Sequence, residues 1–140
     1  MYSKVNYNYK LIREELQNLN TDLDHFTSRN DICTPMECVE EMIDAIPDEF
    51  WHRDSISVLD PCAGNGNFPA YVLSKSQNKK CEIILNEINE KRLKNAKLLF
   101  DGVSEIKYES KDFLADTFNS YDLIVANPPF ALLMKNGKRA

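Results

Sequence analysis

The amino-acid sequence predicts an α/β protein with one parallel sheet and helices that flank it. Three observations support this fold class. Short apolar runs alternate with helical stretches from residue 57 to residue 126, as they do in parallel sheets whose strands are connected by helices. Two of the four glycines, Gly64 and Gly66, lie directly after the first apolar run. With 140 residues, 43% of them hydrophobic, the chain can form one domain with a core.

An amphipathic helix is expected near the N-terminus. Residues 8–20 place Tyr9, Ile12, Leu16 and Leu19 at spacings of three and four, which is the period of a helix with one apolar face. We expect this helix to pack outside the sheet.

A second helix is expected to begin at Thr34. Thr34 would cap the helix, Pro35 would occupy its first position, and Glu37, three residues after the cap, would complete a capping box. Pro47 would end the helix. Its predicted buried stripe consists of Val39, Met42, Ile43 and Ile46.

Four strands and two further helices follow. The expected strands are residues 57–60, 81–86, 104–108 and 121–126, and the expected helices are residues 67–76 and 89–100. The fourth strand is apolar and would form a bare edge of the sheet, which natural proteins avoid because an open edge invites strand addition. We therefore expect other parts of the protein, or a partner, to cover it.

The charge does not indicate a nucleic-acid-binding surface. The chain has 17 Lys and Arg against 22 Asp and Glu, for a net charge of −5. Surfaces that bind a phosphate backbone are normally basic, since their affinity comes mostly from neutralising phosphates. Any such surface is therefore expected outside this chain.

Composition also argues against several other classes of protein. No run of 18 apolar residues and no basic stub followed by an apolar run occurs, so neither a membrane span nor a secretory signal is expected. The four cysteines form no Cys-x-x-Cys pair and have no histidine nearby, which argues against a zinc site or a disulfide framework. We expect a cytoplasmic protein with reduced thiols and without a metal.

The loop after the first strand is the first candidate site. Glycines let a backbone approach a ligand closely, and an aspartate at the end of a strand offers a carboxylate to a cationic or hydroxyl group. Pro69 replaces the third glycine of a dinucleotide-binding motif, which argues against a nicotinamide site. A tight turn without a ligand is the alternative. The loop reads Asp60-Pro61-Cys62-Ala63-Gly64-Asn65-Gly66-Asn67-Phe68.

Acidic residues follow the next two strands. Glu87 comes about 20 residues after the glycine loop, where an acid in such folds hydrogen-bonds ribose hydroxyls. Asp112 and Phe113 follow the third strand, and an acid beside an aromatic ring can bind an adenine amine and cover its ring. Each residue alone is equally typical of ordinary surface and core positions. Their order, one group at each successive strand end, favours a common ligand.

The fourth strand is followed by Asn127-Pro128-Pro129-Phe130. Two prolines fix the backbone and leave carbonyl groups free to accept hydrogen bonds. Asn127 offers an amide oxygen and Phe130 an aromatic face. This combination suits a planar substrate that bears an amino group, because two acceptors can hold the amine while the ring stacks on the heterocycle.

Together these motifs resemble those of the S-adenosylmethionine-dependent amino-methyltransferases, above all the DNA N6-adenine methyltransferases, over residues 34–130. The tetrapeptide resembles their catalytic motif IV, and residues 60–68 resemble motif I, which binds the methionine part of the cofactor. The motif order is that of the gamma-type enzymes. The resemblance implies a Rossmann-like S-adenosylmethionine-dependent methyltransferase fold, truncated after the fourth strand, with S-adenosylmethionine as the cofactor.

The resemblance also implies which residues bind this cofactor. Glu87, with Ile88 beside it, matches motif II at the ribose, and Asp112 with Phe113 matches motif III at the adenine. Residues 34 and 35 resemble motif X at the methionine end. The implied cofactor-binding residues are Thr34, Pro35, Asp60, Pro61, Ala63, Gly64, Gly66, Phe68, Glu87, Ile88, Asp112 and Phe113.

For catalysis, the resemblance implies methyl transfer to the exocyclic N6 amine of a flipped-out adenine in DNA, as in modification enzymes that can accompany restriction enzymes. The amine would donate to the Asn127 side chain and to the Pro128 carbonyl, and Phe130 would stack on the ring. The implied catalytic residues are Asn127, Pro128, Pro129 and Phe130. No metal is required.

Two regions follow from this reading: an N-terminal helical extension, residues 1–33, and a partial methyltransferase catalytic domain with motifs X, I, II, III and IV, residues 34–140. Family members continue with further strands and a recognition domain. We therefore expect a fragment of a longer enzyme, half of a split enzyme completed by a second chain, or a remnant that binds the cofactor without turnover.

Two alternatives to the DNA adenine function remain open. Asn-Pro-Pro-aromatic motifs also resemble those of enzymes that methylate an RNA adenine or guanine, or a protein glutamine. A non-enzymatic module could instead bind the cofactor and use its open strand edge to join a partner.

Overall fold

A four-stranded parallel sheet forms the centre of the molecule. The structure is a computed structural model that describes residues 7–20, 34–76, 80–112 and 120–126. The strand order is β3-β2-β1-β4, and each neighbouring pair is parallel. The predicted α/β class and the four strands are confirmed. The strands are β1 (Ser55–Asp60), β2 (Lys80–Asn86), β3 (Ile106–Glu109) and β4 (Leu123–Ile124).

The two central strands are apolar because helices or loops cover both of their faces. Consecutive residues, which point to opposite faces of the sheet, are buried in β1 (Val58 and Leu59) and in β2 (Ile83 and Ile84). These strands therefore do not alternate between apolar and polar residues. β1 pairs with β2 over its whole length, from Ser55 opposite Lys80 to Asp60 opposite Leu85. This long pairing sets the carboxyl ends of the two strands level with each other.

Five helices occur among the described residues. The expected amphipathic helices near residues 8–20 and 34–46 are present, as are the two helices between the strands. A one-turn helix after Pro47 was not predicted. The helices are α1 (Tyr9–Asn20), α2 (Met36–Asp44), α3 (Asp48–Trp51), α4 (Asn67–Lys75) and α5 (Glu90–Leu99).

Helix α1 packs against α4 rather than against the sheet, as predicted. Leu16 is fully buried at this contact, and Tyr9 and Ile12 are partly buried against the core. Two polar groups of α1 reach α2: the Tyr9 hydroxyl donates to Glu40, and Arg13 Nε lies 2.8 Å from Glu40 Oε2. The helix is thus attached through one apolar face and through polar contacts of Tyr9 and Arg13 with α2.

The expected capping box at the start of α2 is wrong. The helix begins at Met36, so Pro35 is the N-cap residue, and no side chain caps this end, since a proline side chain has no acceptor. The side chain of Glu37 is largely exposed and lies 3.4 Å from Arg13. Met42, which the predicted stripe included, is 49% exposed, because the buried stripe runs through Met36 instead.

Strand β4 is shorter than the six residues predicted. Only Leu123 and Ile124 pair with β1 as ladder residues. Just before them, Asp122 contacts Ser57 of β1 through its backbone and its side chain: its N–H donates to the Ser57 carbonyl at 3.0 Å, and its Oδ2 accepts from the Ser57 N–H at 2.9 Å. Among the described residues β4 is bonded on one side only, and Ile124 is 58% exposed.

Three further features of the described residues are the exposure of the cysteines, the grouping of possible metal ligands and the length of the helices. Cys38 is exposed, Cys62 is half-buried and Cys81 is buried. In the part of the chain that the structure describes, no three His, Cys, Asp or Glu side chains lie together as metal ligands would. None of the described helices has the length and apolar character needed to cross a membrane.

Candidate functional site

The candidate site lies at the carboxyl edge of the sheet, where the chain reverses its direction of strand addition. From β1 the chain adds β2 and then β3 on one side, and it returns to place β4 on the other side of β1. In open parallel sheets ligands bind at such a switch point, outside the carboxyl ends of the strands. Sequence analysis selected Asp60, Glu87 and Asp112. These residues lie at, or just after, the carboxyl ends of the three neighbouring strands β1, β2 and β3.

The glycine loop folds back onto the end of β2. Gly64 has a φ of 61°, a left-handed conformation that glycine adopts without strain. The N–H of Gly64 donates to Glu87 Oε1 at 2.7 Å, and the N–H of Ala63 donates to the Asn86 carbonyl at 2.9 Å. The structure thus brings together the predicted motif I loop and the predicted motif II acid.

Gly66 is required by packing as well as by backbone conformation. Its φ is 107°, and a Cβ built on it would lie 2.5 Å from Cε2 of Phe100, whose ring is buried at the end of α5. Gly66 is also the N-cap residue of α4. Sequence analysis expected the glycines to let the loop backbone approach a ligand closely. At Gly66 the close neighbour is instead the ring of Phe100.

Asp60 is a fully buried carboxyl group at the end of β1. Its Oδ1 accepts from the N–H of Cys62 at 3.1 Å, whereas its Oδ2 has no hydrogen-bond partner among the described residues. Burial raises the pKa of Asp60 to about 8, against the lowering effect of the Cys62 N–H, and the nearby Glu87 raises it further. An unsatisfied buried oxygen is costly, so it fits a site that receives a donor group from a ligand.

Glu87 is buried and bonded through both of its oxygens. Besides the contact of Oε1 with Gly64, its Oε2 accepts from the N–H of Asn89 at 2.9 Å and lies 3.7 Å from Arg92. A carboxylate has about four acceptor positions, so these contacts orient the group and leave capacity for ligand hydroxyls. Ile88 beside it is 60% exposed, which provides an apolar surface at the same edge.

Asn86 is a positioning residue that sequence analysis missed. Its Nδ2 donates to the carbonyls of Pro61 and Lys111 at 2.8 and 2.9 Å, and its Oδ1 accepts from the N–H of Lys111 at 2.9 Å. One buried amide thus connects the segments that follow β1 and β3. The available signal was an amide at the end of an otherwise apolar strand, directly before the predicted acid.

The remaining predicted residues have different surroundings. The Thr34 carbonyl accepts from Asn67 Nδ2 at 2.7 Å, which joins the predicted motif X to the start of α4. Phe68 and Ala63 belong to the hydrophobic core, so packing accounts for them, and a further role at the cofactor stays a prediction. Pro35 and Asp112 are exposed, and Pro61 is half-buried.

Five predicted residues lie outside the described part of the chain. They are Phe113 of the predicted motif III and the four catalytic residues Asn127, Pro128, Pro129 and Phe130. Described chain reaches Ala126, just beyond the end of β4 beside β1, where Val125 N–H donates to the Leu59 carbonyl at 3.0 Å. The catalytic assignment therefore stays a prediction.

Comparison with solved structures identifies the fold. A protein from Listeria monocytogenes, assigned to the class I S-adenosylmethionine-dependent methyltransferases, superposes with a TM-score of 0.73 at 19% identity over 91% of this chain and 41% of that one. TrmN from Thermus thermophilus matches with a TM-score of 0.54 at 24% identity over 84% and 35%. A protein from Pyrococcus horikoshii, assigned as an RNA methyltransferase, matches with a TM-score of 0.58 at 19% identity over 85% and 58%.

The chain thus spans about one third to three fifths of the length of these three proteins. No curated protein matches the sequence. The model of a protein family described as the methyltransferase small domain matches residues 40–139, which is more than half of the chain and includes the carboxyl edge described above. The chain belongs to the methyltransferase small domain family and has the Rossmann-like fold of S-adenosylmethionine-dependent methyltransferases.

Proposed function

We propose that this chain forms the cofactor-binding and catalytic portion of an enzyme that transfers a methyl group from S-adenosylmethionine to the N6 amine of adenine in DNA. One observation carries the proposal. The glycine loop, Asp60 and Glu87 meet at the switch point of the sheet, and Asn-Pro-Pro-Phe follows in sequence the strand on the other side of that point.

The described residues fit the cofactor in three respects. The unpaired Oδ2 of Asp60 can accept from the methionine ammonium group, whose positive charge would favour the ionised form of this carboxyl over the protonated form. Glu87, oriented by Gly64 and Asn89, can accept from ribose hydroxyls. Ile88 can cover the adenine ring with its exposed apolar side chain. When bound, S-adenosylmethionine supplies a methyl group that its sulfonium activates for transfer.

The residues after β4 suit an aromatic amine as the acceptor. The lone pair of the N6 amine is delocalised into the adenine ring, so the amine is a weak nucleophile. Hydrogen-bond acceptors on both N–H groups, from the Asn127 side chain and the Pro128 carbonyl, favour a more tetrahedral nitrogen and orient it for in-line attack. Stacking on Phe130 contributes about 1 to 3 kcal/mol and offsets part of the cost of extruding the base.

One feature supports DNA as the substrate, whereas the charge of the chain requires that DNA be held largely by other parts. Thr34 and Pro35 stand before the first strand, as motif X does in the enzymes that the sequence resembles, and Asn67 ties Thr34 to the start of α4. The net charge of −5 implies that most phosphate contacts come from elsewhere. We propose that further parts of the enzyme, or a second chain, supply the target recognition.

RNA is the second candidate substrate. Its support is the structural similarity to TrmN and to the Pyrococcus horikoshii protein. A dimethyladenosine transferase from Plasmodium falciparum, with a TM-score of 0.54 at 20% identity, resembles the chain equally well. We propose DNA as the first candidate because the Thr34-Pro35 pair upstream of the first strand favours it.

A methyl-transfer assay on several substrates tests the choice. The chain would be incubated with radiolabelled S-adenosylmethionine and with duplex DNA, the same duplex already N6-methylated at every adenine, structured RNA, or a glutamine peptide. We expect label only in the unmethylated duplex. Label in RNA or peptide alone would contradict the DNA proposal. Label in no substrate despite cofactor binding would show that the chain binds the cofactor without turnover by itself, and that the assay must be repeated with the parts that supply target recognition.

The role of Asn127 is tested by Asn127→Ala. The variant loses an acceptor for the substrate amine and no group assigned to the cofactor. We expect the methyl-transfer rate to fall at least about 100-fold, in the range seen when one preorganised polar group is removed, while the Kd for S-adenosylmethionine changes less than about twofold. Equal loss of transfer and of cofactor binding would contradict the assignment.

A further inference from the structure

Four asparagines connect the N-terminal helix to the glycine loop. Asn65, between the two glycines, donates through Nδ2 to Asn20 Oδ1 at 3.2 Å, and its Oδ1 accepts from Asn95 Nδ2 at 3.3 Å. Asn20 in turn donates to Asn67 Oδ1 at 3.1 Å. We call Asn20, Asn65, Asn67 and Asn95 the asparagine cluster. It joins the last residue of α1, the loop, the first residue of α4 and the middle of α5.

Because two members of the cluster are buried, these contacts affect the conformation of the loop. Asn65 and Asn67 are buried, so an amide group that lost its partner there would have little access to water and would favour a different loop conformation. Glycines on both sides give Asn65 a backbone with many accessible conformations. Side-chain contacts from α1 and α5 are therefore a means of selecting one of them.

Helix α1 is attached to the domain without the help of Asn20. Leu16 is buried, and Arg13 and Tyr9 contact Glu40 near the opposite end of the helix. Loss of the Asn20 side chain should therefore leave α1 in place. The family model matches from residue 40 onward, so α1 lies outside the portion of the chain that defines the family.

We propose that Asn20 is a positioning residue for the glycine loop and that α1 thereby controls the affinity of the loop for its ligand. Asn20 acts through Asn65, and it has no contact with the ligand itself. The effect on ligand affinity rests on the proposed binding of S-adenosylmethionine by this loop. The effect on the conformation of the loop is independent of that proposal, because it follows from the contacts of Asn20 and Asn65 alone.

Hydrogen exchange of the full chain tests the effect on the loop without any ligand. The amides of Gly64 and Gly66 are bonded to Glu87 and to the Ala63 carbonyl. In Asn20→Ala we expect both to exchange about tenfold faster, as the loss of about one hydrogen bond of local stability implies. The amide of Ile83, bonded to the Glu105 carbonyl in the sheet, should be unchanged.

Tyr9→Phe is the matched control, because it removes a hydrogen bond between α1 and Glu40 and leaves the asparagine cluster intact. We expect normal exchange at Gly64 and Gly66 in this variant. Equal exchange in Asn20→Ala and the wild type, or the same increase in Tyr9→Phe, would overturn the proposal. If Asn20→Ala does not fold, Asn20→Leu, which has a similar size and lacks the oxygen that accepts from Asn65, is judged by the same criterion.

Titration with S-adenosylmethionine tests the effect on affinity. We expect the Kd to rise about tenfold in Asn20→Ala and to stay unchanged in Tyr9→Phe. Since Asn20 acts through Asn65, the double variant Asn20→Ala/Asn65→Ala should bind no more weakly than Asn65→Ala alone. Additive losses would overturn the proposed route.

The two proposals fail in different ways. A wild-type chain that binds no S-adenosylmethionine but shows the expected exchange pattern would contradict the proposed function and support the positioning role. A wild-type chain that binds the cofactor, with Asn20→Ala unchanged in Kd and in exchange, would contradict the positioning role alone.

Discussion

Asp60 combines two properties whose cost would be offset by a ligand that donates to it. It is completely buried, and one of its oxygens has no partner among the described residues. Burial of an unpaired carboxylate is unfavourable, so the proton is retained and the pKa rises to about 8. The position of this group at the end of β1 is what a site for a cationic ligand requires.

The raised pKa predicts how stability depends on pH. Because folded Asp60 keeps its proton up to about pH 8 while the unfolded chain releases it near pH 4, folding takes up a proton between these values. Its contribution to the free energy of unfolding therefore falls as pH rises from 4 to 8, by at most about 1.4 kcal/mol per pH unit. Asp60→Asn should remove this dependence.

Urea unfolding of both chains at pH 5 and pH 8 measures the effect. We expect the wild type to lose more stability than Asp60→Asn between these two values. Parallel pH dependence in the two chains would contradict the raised pKa of Asp60.

Gly66 gives a second prediction at the scale of single residues. In Gly66→Ala the new methyl group meets the ring of Phe100, and the residue must keep a φ near 107°. Overpacking of this kind costs about 1 to 3 kcal/mol, and the left-handed backbone adds strain. We expect urea unfolding to show at least this loss, whereas Gly66→Ala/Phe100→Leu should recover part of it. Full stability in Gly66→Ala would be inconsistent with the packing described.

Sequence analysis found the residues that end strands and missed those that act through other residues. Asp60, Gly64 and Glu87 were identified because strand ends and glycine loops have a recognisable order. The amide contacts of Asn86 with Pro61 and Lys111 connect positions 25 residues apart, and no local pattern reports them. For the same reason the contact of Gly66 with Phe100 could not be anticipated.

At the scale of elements, periodicity was a better guide than terminal signals. Apolar spacing placed α1 within one residue of its observed bounds, and the expected ranges of α4 and α5 are equally close to the observed ones. The cap assigned to Thr34 was wrong because Pro35 adopts an extended conformation, with a ψ of 147°, directly before the helix. The length of β4 was overestimated because apolar composition cannot show where pairing with β1 stops.

The attachment of α1 is predicted to depend on Leu16. Leu16→Ala removes a fully buried side chain at the contact of α1 with α4 and leaves a cavity, which costs about 2 to 5 kcal/mol. Leu11→Ala, at a position on the same helix that is 58% exposed, should change the free energy of unfolding by less than about 0.5 kcal/mol. Urea unfolding measures the free energy of unfolding of both variants. Equal losses in Leu16→Ala and Leu11→Ala would mean that α1 does not pack against the domain as described.

At the scale of the whole molecule, the order β3-β2-β1-β4 explains why residues that are distant in sequence come together. The reversal at β1 places the carboxyl ends of β1 and β2, with the glycine loop and Glu87, at one edge of the sheet, next to the strand that precedes the predicted catalytic residues. The described part of the sheet leaves β4 bonded on one side, and the chain spans 41% of the Listeria monocytogenes protein. We propose that additional strands pair with β4 in the complete enzyme.

Calorimetric titration of the purified chain with S-adenosylmethionine is the most direct test of the central claim. We predict saturable binding of one molecule per chain, strongly weakened in Asp60→Asn and unchanged in Asp54→Asn, which alters an exposed acid just before the opposite end of β1. A folded wild-type chain that shows no binding, or equal binding by both variants, would contradict the assignment of the cofactor to the carboxyl edge of the sheet.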